Sequence, residues 1–156
     1  RPFTVGYSTS TTLPARDGVP HGSIQRSSKA PNNSFFKNWM DPDDSITWNI
    51  DVGHAGNYSA IVYYTCAAGN EGCILQVGLD DGWSTQNKVI KVFDPPLYDK
   101  SKERVAKSHY FVKDFEPLNL GTLRLPKGSG TLRLKGLNRK GNGFVDVHSI
   151  ELRRLD

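Results

Sequence analysis

Cysteine is scarce in this chain: two residues in 156, with methionine scarcer still at one. The pair, Cys66 and Cys73, stands in a C-x6-C spacing with no CxxC and no paired histidines beside it, so a zinc site lacks its ligands. A catalytic thiol has no histidine near it in sequence. The spacing instead predicts a disulfide between Cys66 and Cys73 that staples a short loop between two strands, and so an oxidising, extracytoplasmic setting. Long apolar runs are also missing. Nothing approaches the roughly 18 residues that cross a bilayer, so no membrane partner is expected. The helical period is absent throughout. Several reaction motifs are absent as well: no G-x-S-x-G, no H-E-x-x-H, no G-x-x-x-x-G-K. Neither cysteine begins the C/S-x-P-x-R run of a sulfatase nucleophile, since Cys66 is followed by Ala-Ala-Gly and Cys73 by Ile-Leu-Gln. These absences argue against an enzyme.

What is present is alternation. Ile46, Trp48, Ile50 and Val52 fall at every second position, the period of a half-buried strand. Residues 57–66 place Tyr58, Ala60, Val62 and Tyr64 on one face with Ile61 and Tyr63 on the other. Further strands are predicted at Pro2–Tyr7, Cys73–Leu79, Lys88–Phe93, His109–Phe115 and Leu118–Leu125. The last stretch reads as a hairpin: Gly130–Leu137, a loop rich in glycine and asparagine, then Phe144–Leu155. Ser8–Asn38 has little periodicity and is expected to wrap the surface or to hide a short strand. Apolar content of 37% suffices for one core. Many short strands at spacings of about ten residues predict an all-β fold, an antiparallel sandwich forming a single domain over residues 1–156. A chain that opens on Arg1 without initiator methionine reads as a module excised from a longer protein.

Charge is unevenly spread. Up to residue 85 there are five cations against eight acids, whereas from Gly121 onward eight cations face three acids. The net charge of +4 thus sits mainly in the second half, as a mixed solvated surface or as a patch for a polyanion. Strand parity sharpens this. Antiparallel strands deliver successive loops to alternate ends of a sandwich. If Tyr110–Leu125 counts as one bulged strand, the tight turns at 53–56, 80–84 and 126–130 share one end. The longer loops 35–44, 66–73, 94–107 and 137–143 share the other. Candidate binding residues therefore gather there: Lys37, Trp39, Tyr98, Asn138, Arg139, Lys140 and Asn142. Trp39 is either a lid over the core or a stacking platform. Trp48 is core, and Trp83 belongs to the tight-turn end. Asp146 and His148 are expected to hydrogen-bond within the sheet.

The run Asp44-Ser-Ile-Thr-Trp-Asn-Ile-Asp-Val-Gly-His-Ala-Gly-Asn-Tyr-Ser-Ala-Ile-Val-Tyr-Tyr64 resembles the core of carbohydrate-binding modules of families six and thirty-five. The runs 121–134 and 145–152 resemble their closing strands. Ser34-Phe-Phe-Lys-Asn-Trp39 with the later blocks resembles the accessory domain C-terminal to secreted sulfatases of marine bacteria. The resemblance implies a jelly roll, glycan binding through loop aromatics and often a structural calcium. Two departures matter. The final strand usually reads Asn-Ile-Asp where this chain has Asp146 and His148, and the first strand lacks the usual glutamate. No cofactor is required on this reading, and a calcium would fall to Asp41, Asp43 or Asp44. The expectation is a secreted, non-catalytic module that recognises a polysaccharide, an anionic sulfated algal galactan, for a covalently attached catalytic domain. A structural domain docking on that neighbour is the alternative. The disulfide and the lack of a nucleic-acid motif exclude nucleic acid as the partner.

Overall fold

The computed structural model describes residues 2–28, 34–96, 98–99, 111–112 and 114–156; side chains of residues 98–99 and 111–112 lie outside that description. The described residues hold fourteen strands: β1 (Phe3–Val5), β2 (Ser10–Pro14), β3 (Val19–His21), β4 (Gln25–Arg26), β5 (Phe36–Lys37), β6 (Ser45–Val52), β7 (Gly56–Thr65), β8 (Ile74–Leu79), β9 (Ser84–Lys88), β10 (Tyr98–Asp99), β11 (Phe111–Val112), β12 (Glu116–Leu125), β13 (Gly128–Leu137) and β14 (Asp146–Arg154). A single 3-10 turn spans Ala15–Asp17. Among the described residues there is no α-helix, and no helix long and apolar enough to cross a membrane.

Two sheets form the sandwich. One runs β1-β6-β13-β8-β9, with β3 also on β6; the other runs β12-β7-β14-β5-β4, with β2 also on β14. Pairings are antiparallel except β1 on β6. The alternating residues do what their period dictates: Ile46, Trp48, Ile50, Leu132, Leu134, Leu75 and Val77 point inward from the first sheet. Tyr58, Ala60, Val62, Leu123, Leu125, Ile150 and Leu152 meet them from the second. Trp48 packs edge-on to Phe36 and spends its indole N–H on the Pro14 carbonyl at 3.0 Å, so its one polar atom is satisfied inside the core.

Two expectations are corrected. First, β13 and β14 are not a hairpin. They lie in different sheets, and the intervening loop arches across the sandwich. Gly136 makes the arch possible, because a Cβ there would stand 2.5 Å from the Phe144 ring. Second, the strand expected at Lys88–Phe93 is displaced to Ser84–Lys88; beyond it Val89 exchanges backbone bonds with Gly72 and Cys73, and Phe93 forms an isolated bridge to Cys66. Ser8–Asn38 holds the short strand that was one of its two expectations: β2 lies along the whole middle of β14, from Ser149↔Pro14 to Arg153↔Ser10.

The sandwich is closed along one side by side chains. Thr85 Oγ1 of β9 donates to the Leu120 carbonyl at 2.7 Å, and Asn87 Nδ2 to that of Asn119 at 3.0 Å. These bonds land on a bulge in β12 where Gly121 takes φ +116°, a conformation open to glycine.

Candidate functional site

The pairings set strand direction, and with it which loops share an end. β6 and β8 run one way in the first sheet with β13 opposed; β7 runs against β12 and β14 in the second. Loops 38–44, 66–73 and 138–145 therefore meet at one end, as strand parity predicts. They are bonded together. Phe144 N donates to the Trp39 carbonyl at 2.8 Å, Gly143 N to Asn70 Oδ1 at 3.4 Å, and Arg139 Nη1 to the Met40 carbonyl at 2.7 Å. The approach is close enough to require glycine: a Cβ on Gly141 would meet Asn70 Oδ1 at 2.5 Å, and one on Gly143 the Trp39 carbonyl at 2.7 Å.

Between these loops lies an open cleft of about 160 Å³. Asn38, Trp39 and Met40 form one wall, Asn70 comes from the arch after β7, and Asn142 to Asp146 form the other wall. Asn38 holds its position through a left-handed backbone (φ 61°), which asparagine tolerates better than most residues. Its Nδ2 donates to the Ser23 carbonyl at 2.9 Å, and its own carbonyl accepts from Ser23 Oγ at 3.0 Å. The cleft is thus rich in amide groups, each offering both donor and acceptor, with one carboxylate at Asp146.

Trp39 is the lid. It is 3% exposed, and its ring packs on Phe144 at 5.2 Å. Its Nε1 is buried and has no hydrogen-bond partner. No stacking face of Trp39 is therefore open at the surface. Asn142 lines the same cleft. Arg139 and Lys140 are exposed on the adjoining arch, but differently engaged. Arg139 is committed to the Met40 carbonyl, whereas Lys140 extends along Gly72 and pairs with no carboxylate among the described residues. Asn138 opens the arch with φ 56°, and Lys37 is exposed on β5 one residue from Asn38. The side chain of Tyr98 lies outside the described residues. Sequence reasoning passed over Asn38, Asn70 and Met40. For Asn70 a signal existed, since parity had already sent its loop to this end.

Cys66 and Cys73 flank the arch that carries Asn70, and here the disulfide expectation is corrected: both are free and buried. The loop is closed without a staple. Asn70 N donates to the Ala67 carbonyl at 3.1 Å, and Gly72 N to that of Val89 at 2.6 Å. The Cys66 thiol turns to the Ala67 carbonyl at 3.6 Å. Burial pushes the Cys66 thiol up to about 11 and that of Cys73 to about 12, so neither is a thiolate at neutral pH.

The acidic turn before β6 was the expected calcium site. Asp44 is buried there; burial raises its carboxyl, but the donors around it outweigh that and hold it below the usual range. Oδ1 accepts from Ser23 N at 3.0 Å, and Oδ2 from Ser23 Oγ and from Asp41 N at 3.1 Å. Asp41 Oδ1 in turn accepts from Asp43 N at 2.8 Å. In β14, His148 stacks on Phe115 at 5.0 Å and its burial lowers its pKa, so it stays neutral at pH 7.

No family model matches the chain, and no curated protein matches it in sequence. Solved structures do match. A family 6 carbohydrate-binding module from Cellvibrio mixtus lichenase 5A, solved with cellotriose, superposes with TM-score 0.63 at 12% identity, over 94% of this chain and 98% of that one. The fold is that of carbohydrate-binding modules. A family 35 module from Clostridium thermocellum gives TM-score 0.62 at 11% identity over 93% and 98%. A Podospora anserina β-(1,4)-mannanase that carries a family 35 module gives TM-score 0.59 at 17% identity; 93% of this chain is covered, but only 27% of that enzyme.

Proposed function

We propose that the chain is a secreted, non-catalytic carbohydrate-binding module, and that the loop-end cleft takes a sugar unit of a polysaccharide on behalf of an attached catalytic domain such as a sulfatase. One observation carries the reading: in a fold shared with carbohydrate-binding modules, three arches converge on a cleft lined by Asn38, Asn70, Asn142 and Asp146. Side-chain amides and a carboxylate match vicinal hydroxyls, each of which donates and accepts. With Trp39 buried, recognition at this cleft proceeds by hydrogen bonding rather than by stacking on that ring. Tyr98 is assigned the stacking contact beside it. The preferred polymer is a sulfated galactan. Lys140 and Lys37 supply cations around the rim, and Asp146 keeps a sulfate off the cleft floor.

The test is binding of the purified chain to carrageenan, its desulfated form and a neutral galactomannan, by affinity electrophoresis and calorimetry. Asn142→Ala, an exposed position, should weaken binding about tenfold, the effect of one hydrogen-bonding group at an interface, while leaving the melting temperature alone. A second reading is a structural domain that docks on its neighbour through the opposite end. The exposure of Tyr7 and Trp83 there favours it, at 71% and 65%. Binding to none of the three polymers would establish that rival.

A further inference from the structure

The fold's relatives led us to expect a calcium ion, and the residues present do not fit one. Calcium needs six or more oxygens, several of them carboxylate. Among the described residues no three of His, Cys, Asp and Glu are grouped to hold a metal. In the acidic turn both Asp44 oxygens and Asp41 Oδ1 are taken by Ser23, Asp41 and Asp43 donors, and Asp41 and Asp43 stand exposed at the surface. The final strand offers the imidazole of His148, turned onto Phe115.

A cation is nevertheless built in. The 3-10 turn at Ala15–Asp17 carries the chain from the second sheet, where β2 ends, to the first, where β3 begins. The turn closes on itself through Gly18 N, which donates to the Ala15 carbonyl at 3.1 Å, and further donors gather on the carbonyls around it. Trp48 Nε1 takes the Pro14 carbonyl. Arg26 reaches over from β4: Nε and Nη2 each donate to the Ala15 carbonyl at 3.3 Å, and Nη2 also donates to that of Gly18. The guanidinium lies over the Phe36 ring, 5.3 Å from its centroid, and pairs with no carboxylate among the described residues. Gly18 lets the turn sit flat on the core, since a Cβ there would stand 2.9 Å from Trp48 and 3.0 Å from Phe36.

We propose that the Arg26 guanidinium, held at the surface by the Ala15 and Gly18 carbonyls and the Phe36 face, is this module's structural cation, and that the fold is independent of calcium. A permanently charged planar group with five donors can bridge two carbonyls and stack on a ring at once, which a lysine ammonium cannot match. The turn is thereby tied to both β4 and β5 without a metal to lose.

The experiment is thermal unfolding of the full chain in EDTA and in millimolar calcium, for the wild type, Arg26→Ala and Arg26→Lys, with a terbium luminescence titration of the wild type. The wild type should melt at the same temperature in both buffers and show no saturable terbium site. Arg26→Ala should melt several degrees lower with no recovery in calcium, and Arg26→Lys should fall between. A wild-type melting temperature that drops in EDTA and returns with calcium overturns the proposal. So does an Arg26→Ala chain that melts with the wild type. If Arg26→Ala does not fold, the wild-type chelation arm and Arg26→Lys still decide.

Discussion

At one end of the sandwich the tryptophan is inside and the amides are outside; at the other end the aromatic rings are outside. Trp39 lies under the long arches, packed on Phe144, while Asn38, Asn70 and Asn142 face the cleft above it. Trp83 tips the β8–β9 turn, and Tyr7 rests on Gly53 beside the β6–β7 arch, both open to solvent. The difference comes from loop length. An arch of six or more residues can fold a large ring back over the end of the core and still place polar groups above it. The turn at 80–83 closes on itself through Gly82 N to the Leu79 carbonyl at 3.2 Å, leaving its ring nowhere to go but outward. Exposed aromatics therefore do not mark the cleft in this molecule. Converging arches do.

The sharpest way to break that contrast is to remove each ring. Trp39→Ala should cost about 3–5 kcal/mol, the usual range for deleting a buried tryptophan. Trp83→Ala should stay within about 0.5 kcal/mol, as exposed substitutions do. Urea denaturation of the two variants measures both. Equal losses would mean that Trp39 is not the lid of the core.

A second contrast is chemical, because both thiols sit at the arch end. A thiol-specific reagent should modify neither cysteine in the native chain at pH 8 and both after denaturation. The same burial sets a pH dependence. A folded-state thiol pKa raised above its unfolded value near 9 contributes stability that is complete below pH 9 and lost as pH climbs towards 11 and 12. Tyrosines add in the same direction. Tyr58 and Tyr64 are raised chiefly by burial, and Tyr63 by the hydrogen bond its hydroxyl gives Glu151 at 3.0 Å. Melting temperature should therefore fall through this alkaline window. A curve flat to pH 12 would show that these groups are not buried.

How much of this was legible in the sequence depends on where the signal lives. Period-two alternation located β6, β7, β8, β12, β13 and β14 almost to the residue, because each buries one face. Strand count also sent the loops at 38–44, 66–73 and 138–145 to one end, where their bonds hold them together. Alternation carries no information about which sheet a strand joins, so β13 and β14 looked like a hairpin. β9 was misplaced because its residues, Ser-Thr-Gln-Asn-Lys, are held by side-chain bonds to β12 and not by burial. The neighbouring Val89, Ile90 and Val92 drew the strand assignment instead, although only Val89 is buried. Trp39 could not be resolved at all from sequence, since its lid role depends on Phe144, about a hundred residues away. The amides of Asn38 and Asn70 were hidden in loops that carry no period.

The smallest expected effect separates two adjacent cations that sequence reasoning treated alike. Arg139 is bound to the Met40 carbonyl, so it holds the arch against the 38–44 loop and shapes the cleft for any ligand. Lys140 makes no such bond and is left to meet an anion. Arg139→Ala should therefore weaken carrageenan and desulfated carrageenan by the same factor, about threefold, with no change in how salt affects binding. Lys140→Ala should weaken only the sulfated polymer. An exposed ion pair contributes up to about 1 kcal/mol, so that loss is at most about fivefold, and it should shrink as salt is raised. Binding curves for the two variants on both polymers, at low and high ionic strength, measure the separation. If Arg139→Ala instead loses selectivity for sulfate, its guanidinium leaves Met40 to bind ligand, and the arch is held by the Phe144 to Trp39 and Gly143 to Asn70 bonds alone.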